Sequence, residues 1–213
     1  MSSNKAERFA NSDPPVAIIL AGPNGAGKTT VSSRLIGDHI EFVNADVIAA
    51  ELTEQDKHRV GVDVAAGRIV LGRLSALTAE RSSFCLETNL ASRGLLSRID
   101  QLRGSGYRVE LIFVSLPDVD LALARVAARV AAGGHAIDEA TVRRRFNSGL
   151  RLFFDVYLDR VNRWSVYDNS RSDPRLLARC KGLVAEVLDE ESWTRLRAFG
   201  SAELLAKSER IDP

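Results

Sequence analysis

The run Gly22-Pro23-Asn24-Gly25-Ala26-Gly27-Lys28-Thr29 follows the apolar stretch Val16-Ala17-Ile18-Ile19-Leu20 and leads into a segment of helical character from Thr30 to Ile36. A buried strand, a glycine-rich turn and a helix in that order admit few folds. The spacing fits GxxxxGK[ST], the P-loop, whose backbone N–H groups curl around a phosphate chain while its glycines allow the close approach. The positive end of the following helix adds to the attraction. Lys28 is placed to reach β- and γ-phosphates and the Thr29 hydroxyl to hold Mg²⁺. A nucleoside triphosphate, ATP above all, is therefore the expected ligand of Gly22, Pro23, Asn24, Gly25, Ala26, Gly27, Lys28, Thr29 and Thr30.

Short apolar runs alternate with longer amphipathic ones along the rest of the chain, the pattern of βα units around a parallel sheet. Strands are expected at 16–20, 41–44, 83–87, 108–116 and 164–167, and helices at 28–37, 45–54, 60–79, 95–103, 119–132, 138–158 and 174–188. The prediction is an α/β fold with a five-stranded, mainly parallel sheet flanked by helices. Residues 189–213 read as a peripheral helix at 190–198 and a tail, and 1–13 as a frayed N-terminal tail. No repeat or linker interrupts the 213 residues, and 45% hydrophobic with 27% charged residues suits one domain with a full core. The formal net charge of +1 argues against a general nucleic-acid or membrane-surface binder. Cys85 and Cys180 make no disulfide framework, and the first residues lack the apolar core of a signal peptide, so a cytoplasmic location is expected.

Ligands of open α/β sheets sit beyond the carboxyl ends of the strands, and each strand end here carries polar residues. After the second comes Asn44-Ala45-Asp46, where the Asp46 carboxylate can orient a substrate hydroxyl and take its proton, or cap the next helix. The third ends Cys85-Leu86-Glu87-Thr88-Asn89. Glu87 and Asn89 are candidates to bind substrate or a metal-bound water, although Glu87 could equally pair with Arg73 or Arg93; Cys85 reads as core. The fifth ends Tyr167-Asp168-Asn169-Ser170, where Asn169 could bond an adenine edge with Arg171 stacked on it, or the residues could form a plain turn.

Between 119 and 146 one helix carries Arg125 and Arg129 on a single face, Gly133-Gly134-His135 breaks it, and a second begins near Asp138 with Arg143-Arg144-Arg145. Two helices with a Gly-Gly hinge and arginines on both sides suit a lid over phosphates, at about residues 125–145, because the guanidinium fork binds phosphate oxygens bidentately. A solvated charged face is the alternative. His135 has no Cys or His partner at metal-ligand spacing and reads as a hinge residue.

Taken together, Gly22 to Thr30, Asn44-Ala45-Asp46, Leu86-Glu87-Thr88-Asn89, Gly133-Gly134-His135 and Arg143-Arg144-Arg145-Phe146 resemble the zeta toxin family of small P-loop kinases. Tyr167-Asp168-Asn169-Ser170 resembles its short chromosomal branch. The resemblance covers about residues 14–172. It implies a P-loop kinase fold with a helical, arginine-bearing lid, in which ATP and Mg²⁺ serve to phosphorylate a hydroxyl; the best-known toxin members act on the 3′-hydroxyl of UDP-N-acetylglucosamine. It further implies Asp46 as base, Lys28 and Thr29 as phosphate and metal residues, and Arg129, Arg144 and Arg145 as transition-state clamps. Glu87, with Asn89 and Arg125, falls on the substrate side, and an antitoxin protein is the implied partner. The toxins follow the strand-end Glu with Gly-Thr, whereas this chain has Thr88-Asn89 and is shorter, so the resemblance does not carry the acceptor over.

The same loop sequence also belongs to ABC-type ATPases, but the chain has no LSGGQ-like signature and no apolar strand ending in Asp-Glu; the fourth strand ends Val114-Ser115-Leu116-Pro117-Asp118. A GTPase would need Asn-Lys-x-Asp after a strand, and Asn-Lys occurs only at Asn4-Lys5. Nucleoside, nucleotide, gluconate-like and antibiotic kinases share the loop, carboxylate and arginines and stay open as alternatives. So does an ATP-binding toxin or interaction module. The acceptor pocket is expected within residues 47–98.

Overall fold

The computed structural model describes residues 13–36, 40–55, 61–134, 136–182 and 184–208. The chain runs β1 (Val16–Ala21), α1 (Lys28–Leu35), β2 (Glu41–Asn44), α2 (Ala45–Gln55), α3 (Val62–Ala79), β3 (Phe84–Thr88), α4 (Leu96–Gly104) and β4 (Arg108–Ser115). It continues through α5 (Val119–Ala131), α6 (Glu139–Leu152), β5 (Arg163–Asp168), β6 (Arg175–Lys181), β7 (Val184–Val187) and α7 (Glu190–Ser208). The expected N-terminal tail, save Asp13, and His135 lie outside the described residues.

All seven strands join one sheet in the order β2-β3-β1-β4-β5-β6-β7. The first five are parallel, so the loops that follow them meet at one edge of the sheet. From β1 the chain departs toward β2, and from β3 it departs the opposite way, across β1 to β4. The crevice this reversal opens lies between the ends of β1 and β3, where doubly wound folds bind ligands.

The period-two alternation of strands distributes the apolar residues to two cores. From β1, Ala17, Ile19 and Ala21 join Phe84 and Leu86 of β3 beneath α2, α3 and α4. Ile18 and Leu20 join Cys85 on the other face, under Val31 of α1, Val126 of α5 and Phe146 of α6. Both faces of β1 are thereby closed, which fixes the height at which the phosphate loop emerges.

Two expectations about the C-terminal part are corrected. The segment 174–188 is not a helix but the antiparallel hairpin β6–β7, so the sheet has seven strands rather than five. Leu176, Cys180, Leu183 and Val187 recur at spacings of four, three and four residues and imitate a helical stripe. The outcome is set instead by Gly182, which opens the turn between Lys181 and Val184, and by Arg179 and Glu186, which stand directly opposite and pair at 2.7 Å. The long helix expected over 138–158 stops at Leu152 and passes into a π turn (Phe153–Tyr157) and a 3₁₀ turn (Leu158–Arg160). This widened turn seats Phe153 against Phe113, centroids 4.6 Å apart, and lets the Tyr157 hydroxyl donate to the Ser92 carbonyl at 2.6 Å.

The C-terminal helix is longer than expected, reaching Ser208, and is anchored by aromatic stacking. Trp193 of α7 lies parallel to Trp164 of β5, with centroids 5.6 Å apart and planes 2° from parallel. Phe154 meets Trp193 edge-on.

Candidate active site

Each wall of the phosphate loop is tied to a different element. Gly27 precedes α1 in the left-handed region at φ 79°, and a Cβ there would sit 2.5 Å from Asn169 Nδ2. Asn169, buried at the end of β5, donates that Nδ2 to the Ala26 carbonyl at 2.8 Å. From α6, Arg145 Nη1 donates to Oδ1 of the buried Asn24 at 3.3 Å. The loop is therefore braced from both the β5 end and α6.

Lys28 is 7% exposed, with its ammonium inside the loop. Nζ donates to the carbonyls of Gly22 (2.9 Å) and Pro23 (3.2 Å) and to Asn89 Oδ1 (3.3 Å), and stands 3.6 Å from Glu87 Oε1. Burial lowers its pKa, while the charges of Glu87 and Asp46 act in the opposite sense; Arg129 adds to the lowering. Those effects place Asp46 and Arg129 within electrostatic reach of Lys28.

Glu87, next to last in β3, is in register with Leu20 of β1 and Asn44 of β2, so the crevice itself presents it. Its Oε2 accepts from Asn44 Nδ2 at 3.0 Å and from Thr29 Oγ1 at 3.4 Å. The arginine partners considered from sequence are not among its contacts, and Arg73 pairs instead with Glu41 at 3.4 Å. Asp46 is likewise not the helix cap. Asn44 Oδ1 accepts from the backbone N–H of Asp46 (2.8 Å) and of Val47 (3.4 Å), which leaves the Asp46 carboxylate exposed in the first turn of α2.

The oxygens of Thr29 and Glu87 converge on the mouth of the loop. Among the described residues no group of three His, Cys, Asp or Glu could hold a metal unaided. A hydroxyl and one carboxylate beside a phosphate cradle fit Mg²⁺, which keeps several waters and takes few protein ligands. They do not fit a structural transition-metal site.

The arginines separate. Arg125 does not face the acceptor side as expected: it grips the β5 end, with Nη1 on the Asn169 carbonyl (2.8 Å) and Nη2 on the Ser170 carbonyl (3.0 Å). Arg143 pairs with Glu139 and Asp120, and Arg144 is exposed. Only Arg145 of the triplet reaches the loop. Gly133-Gly134 is not a loose hinge but a helix stop, with Gly134 N–H donating to Arg129 O and Gly133 N–H to Val130 O, each at 2.9 Å. Gly133 supplies the positive φ of 89° that this Schellman arrangement requires.

Asn169 also departs from its expected role, since its amide N–H serves the loop rather than an adenine edge. The next residues form the plain turn, with Asp168 Oδ1 accepting from Ser170 N–H at 2.9 Å, and Arg171 is exposed. Thus Lys28, Thr29, Glu87, Asn89 and Arg145 meet at the phosphate loop, Asp46 and Arg129 act on Lys28 through their charge, Asn169 and Arg125 brace the loop from the β5 end, and Arg144 is exposed. Sequence reasoning passed over Asn44 as a site residue, though an Asn two positions before an Asp at a strand-to-helix junction is a cap signal.

Comparison with known proteins bears on the family and the fold. The AAA_33 family, described as an AAA domain, matches residues 18–150. An uncharacterized protein of Haemophilus influenzae is 31% identical over 131 residues, covering 61% of this chain and 91% of its own. Among solved structures, the AvrRxo1-ORF1:AvrRxo1-ORF2 complex with sulphate ions superposes with a TM-score of 0.72 at 15% identity over 89% of this chain. The same complex with ATP gives 0.68. This chain spans 65% of the length of the AvrRxo1 chain it matches. The PezAT chromosomal toxin-antitoxin system of Streptococcus pneumoniae gives a TM-score of 0.60 at 17% identity, covering 94% of this chain and 93% of that one. The mostly parallel sheet flanked by helices is that of P-loop kinases, and the chain belongs to the AAA domain family of P-loop proteins.

Proposed function

We propose that the chain is an ATP-dependent kinase of zeta-toxin type, which transfers the γ-phosphate to a hydroxyl of a small sugar or nucleotide-sugar. One observation carries the reading. Asp46, whose carboxylate is released from capping by Asn44, acts on Lys28 of a phosphate loop whose Lys28 and Thr29 already engage Glu87.

In this reading the loop N–H groups and Lys28 bind the β- and γ-phosphates of ATP. Thr29 and Glu87 would hold Mg²⁺, which supplies neutralisation of phosphate charge. Asp46 orients the acceptor hydroxyl and takes its proton as the hydroxyl oxygen bonds to the γ-phosphorus and ADP departs. Asn89 shares Lys28 with the loop and in this reading binds the acceptor. Arg145, bonded to Asn24, and Arg129, whose charge acts on Lys28, complement the charge of the transferring group, and Arg144 joins them more weakly when the lid closes. The segment about 125–145 serves as the lid that covers the phosphates and excludes water. The cytoplasm is the natural place for an enzyme using ATP and two free thiols. A protein partner of antitoxin kind is the accompanying reading, supported by the likeness to the PezAT toxin-antitoxin system.

The test is a transfer screen with γ-labelled ATP against UDP-sugars, nucleosides, gluconate-like acids and small-molecule extracts, with Asp46→Asn as the blank. Label should appear in a hydroxyl-bearing acceptor only with the unaltered chain. Equal labelling by both proteins would remove the proposed chemistry.

A further inference from the structure

We propose that Asn44 is a positioning residue of this site, whose single amide holds the Glu87 carboxylate and the first turn of α2, and with it Asp46, in one fixed relation. The inference deepens the kinase reading and depends on it only for its rate measurement.

The two ends of the amide do different work. Nδ2 donates to Glu87 Oε2 at 3.0 Å, while Oδ1 accepts from the backbone N–H of Asp46 at 2.8 Å and of Val47 at 3.4 Å. Turned over, the amide would set its oxygen against a carboxylate and its N–H groups against backbone N–H groups, so the partners fix its orientation. The backbone prepares the contact, because Asn44 and Glu87 are register partners on adjacent parallel strands. Glu87 continues the chain, with Oε2 accepting from Thr29 and Oε1 facing Lys28. An unbroken path thus runs from the proposed base through Asn44 and Glu87 to the phosphate loop.

Residue chemistry makes Asn the fitting choice. Asp or Ser caps a helix about as well as Asn. Asp has no donor for Glu87 and adds a like charge, while Ser is too short to span from the cap to the neighbouring strand. Gln has both ends but a longer stem. A purely structural cap would tolerate Asp or Ser; a positioning residue would not.

The experiment is a double-mutant cycle of Asn44→Ser and Glu87→Gln, with Asn44→Asp as a third variant. ATP·Mg²⁺ affinity is read by calorimetry, acceptor phosphorylation by rate, and folding by melting temperature. Each single change should weaken ATP·Mg²⁺ binding about tenfold, the scale of one charge-assisted hydrogen bond, and the double variant should lose no more than either single. Melting temperatures of both Asn44 variants should stay near that of the parent, because the cap oxygen is kept. Roughly hundredfold loss in the double variant would show independent action and overturn the proposal. So would parental affinity and rate in Asn44→Asp, or a loss that only follows unfolding. If the parent phosphorylates no acceptor, the kinase reading falls, and the cycle on ATP binding still decides for or against Asn44.

Discussion

Asn169 Nδ2 lies 2.8 Å from the carbonyl oxygen of Ala26, so the far end of β5 holds the crown of the phosphate loop. Arg125 in turn holds the carbonyls of Asn169 and Ser170. Replacing Asn169 by Ala strands a buried carbonyl, at a cost of about 1–3 kcal/mol. The expected result is a melting temperature lower by several degrees and weaker ATP binding. Arg125→Ala should weaken ATP binding in the same direction, acting through Asn169; calorimetry that finds parental affinity in both variants would dissolve the brace.

Asp46 is the residue on which transfer itself depends. Asp46→Asn keeps shape and first-turn position but removes the proton acceptor, and loss of a general base lowers rates by about 10²- to 10⁴-fold. ATP affinity should stay within about twofold, because the loop and Lys28 are untouched. Single-turnover kinetics beside equilibrium binding separate the two quantities.

Arg144 and Arg145 adjoin in sequence but point to different surroundings. Arg145 reaches Asn24 inside the loop, whereas Arg144 is exposed. Arg145→Ala should reduce kcat by about 10- to 1000-fold, the range for removing one transition-state donor, and Arg144→Ala by much less. Comparable losses in the two variants would mean that lid closure brings both to the phosphate.

Burial pushes the Cys85 thiol up to about 12, with the Glu87 charge acting in the same sense. In the native protein a thiol reagent at pH 8 should therefore modify Cys180 and spare Cys85, and both should react after denaturation. The same shift carries a stability sign. Above pH 9 the unfolded chain releases the Cys85 proton while the folded chain keeps it, so stability falls as pH rises toward 12. The slope is about 1.4 kcal/mol per pH unit for this one group. Chemical denaturation between pH 8 and 10.5 measures it, and a parent and a Cys85→Ala variant with equal alkaline slopes would refute the assignment.

The Gly133 cap gives a fifth test. Gly133→Ala forces a side chain to φ 89° and should cost about 1 kcal/mol, read as a drop of a few degrees in melting temperature. A wholly mobile connection at this point would show no change.

The local signals that reached the structure are those in which one segment decides its own conformation. The phosphate loop, the apolar β1 and β4 and the strand-end carboxylates are read from contiguous residues, and each stands where its pattern places it. The hairpin β6–β7 was hidden because a chance three-to-four spacing of apolar residues outweighed Gly182, and because the Arg179–Glu186 pairing exists only across strands. Asn169 was misjudged for a related reason: its partner Ala26 is 143 residues away, and no spacing reports it. The arginine triplet shows the limit most directly. Three identical side chains on one helix turn through about 100° per residue, so a single one faces the loop, and only the docking of α6 says which.

Both tryptophans of the chain sit in one stacked pair, Trp164 on the sheet and Trp193 on α7. Three residues further along α7, Leu196 lines the same small cavity as Pro23 of the phosphate loop. Excited apart from the three tyrosines, the tryptophan fluorescence of this protein therefore comes from one place, the seat of α7 on the sheet beside the loop.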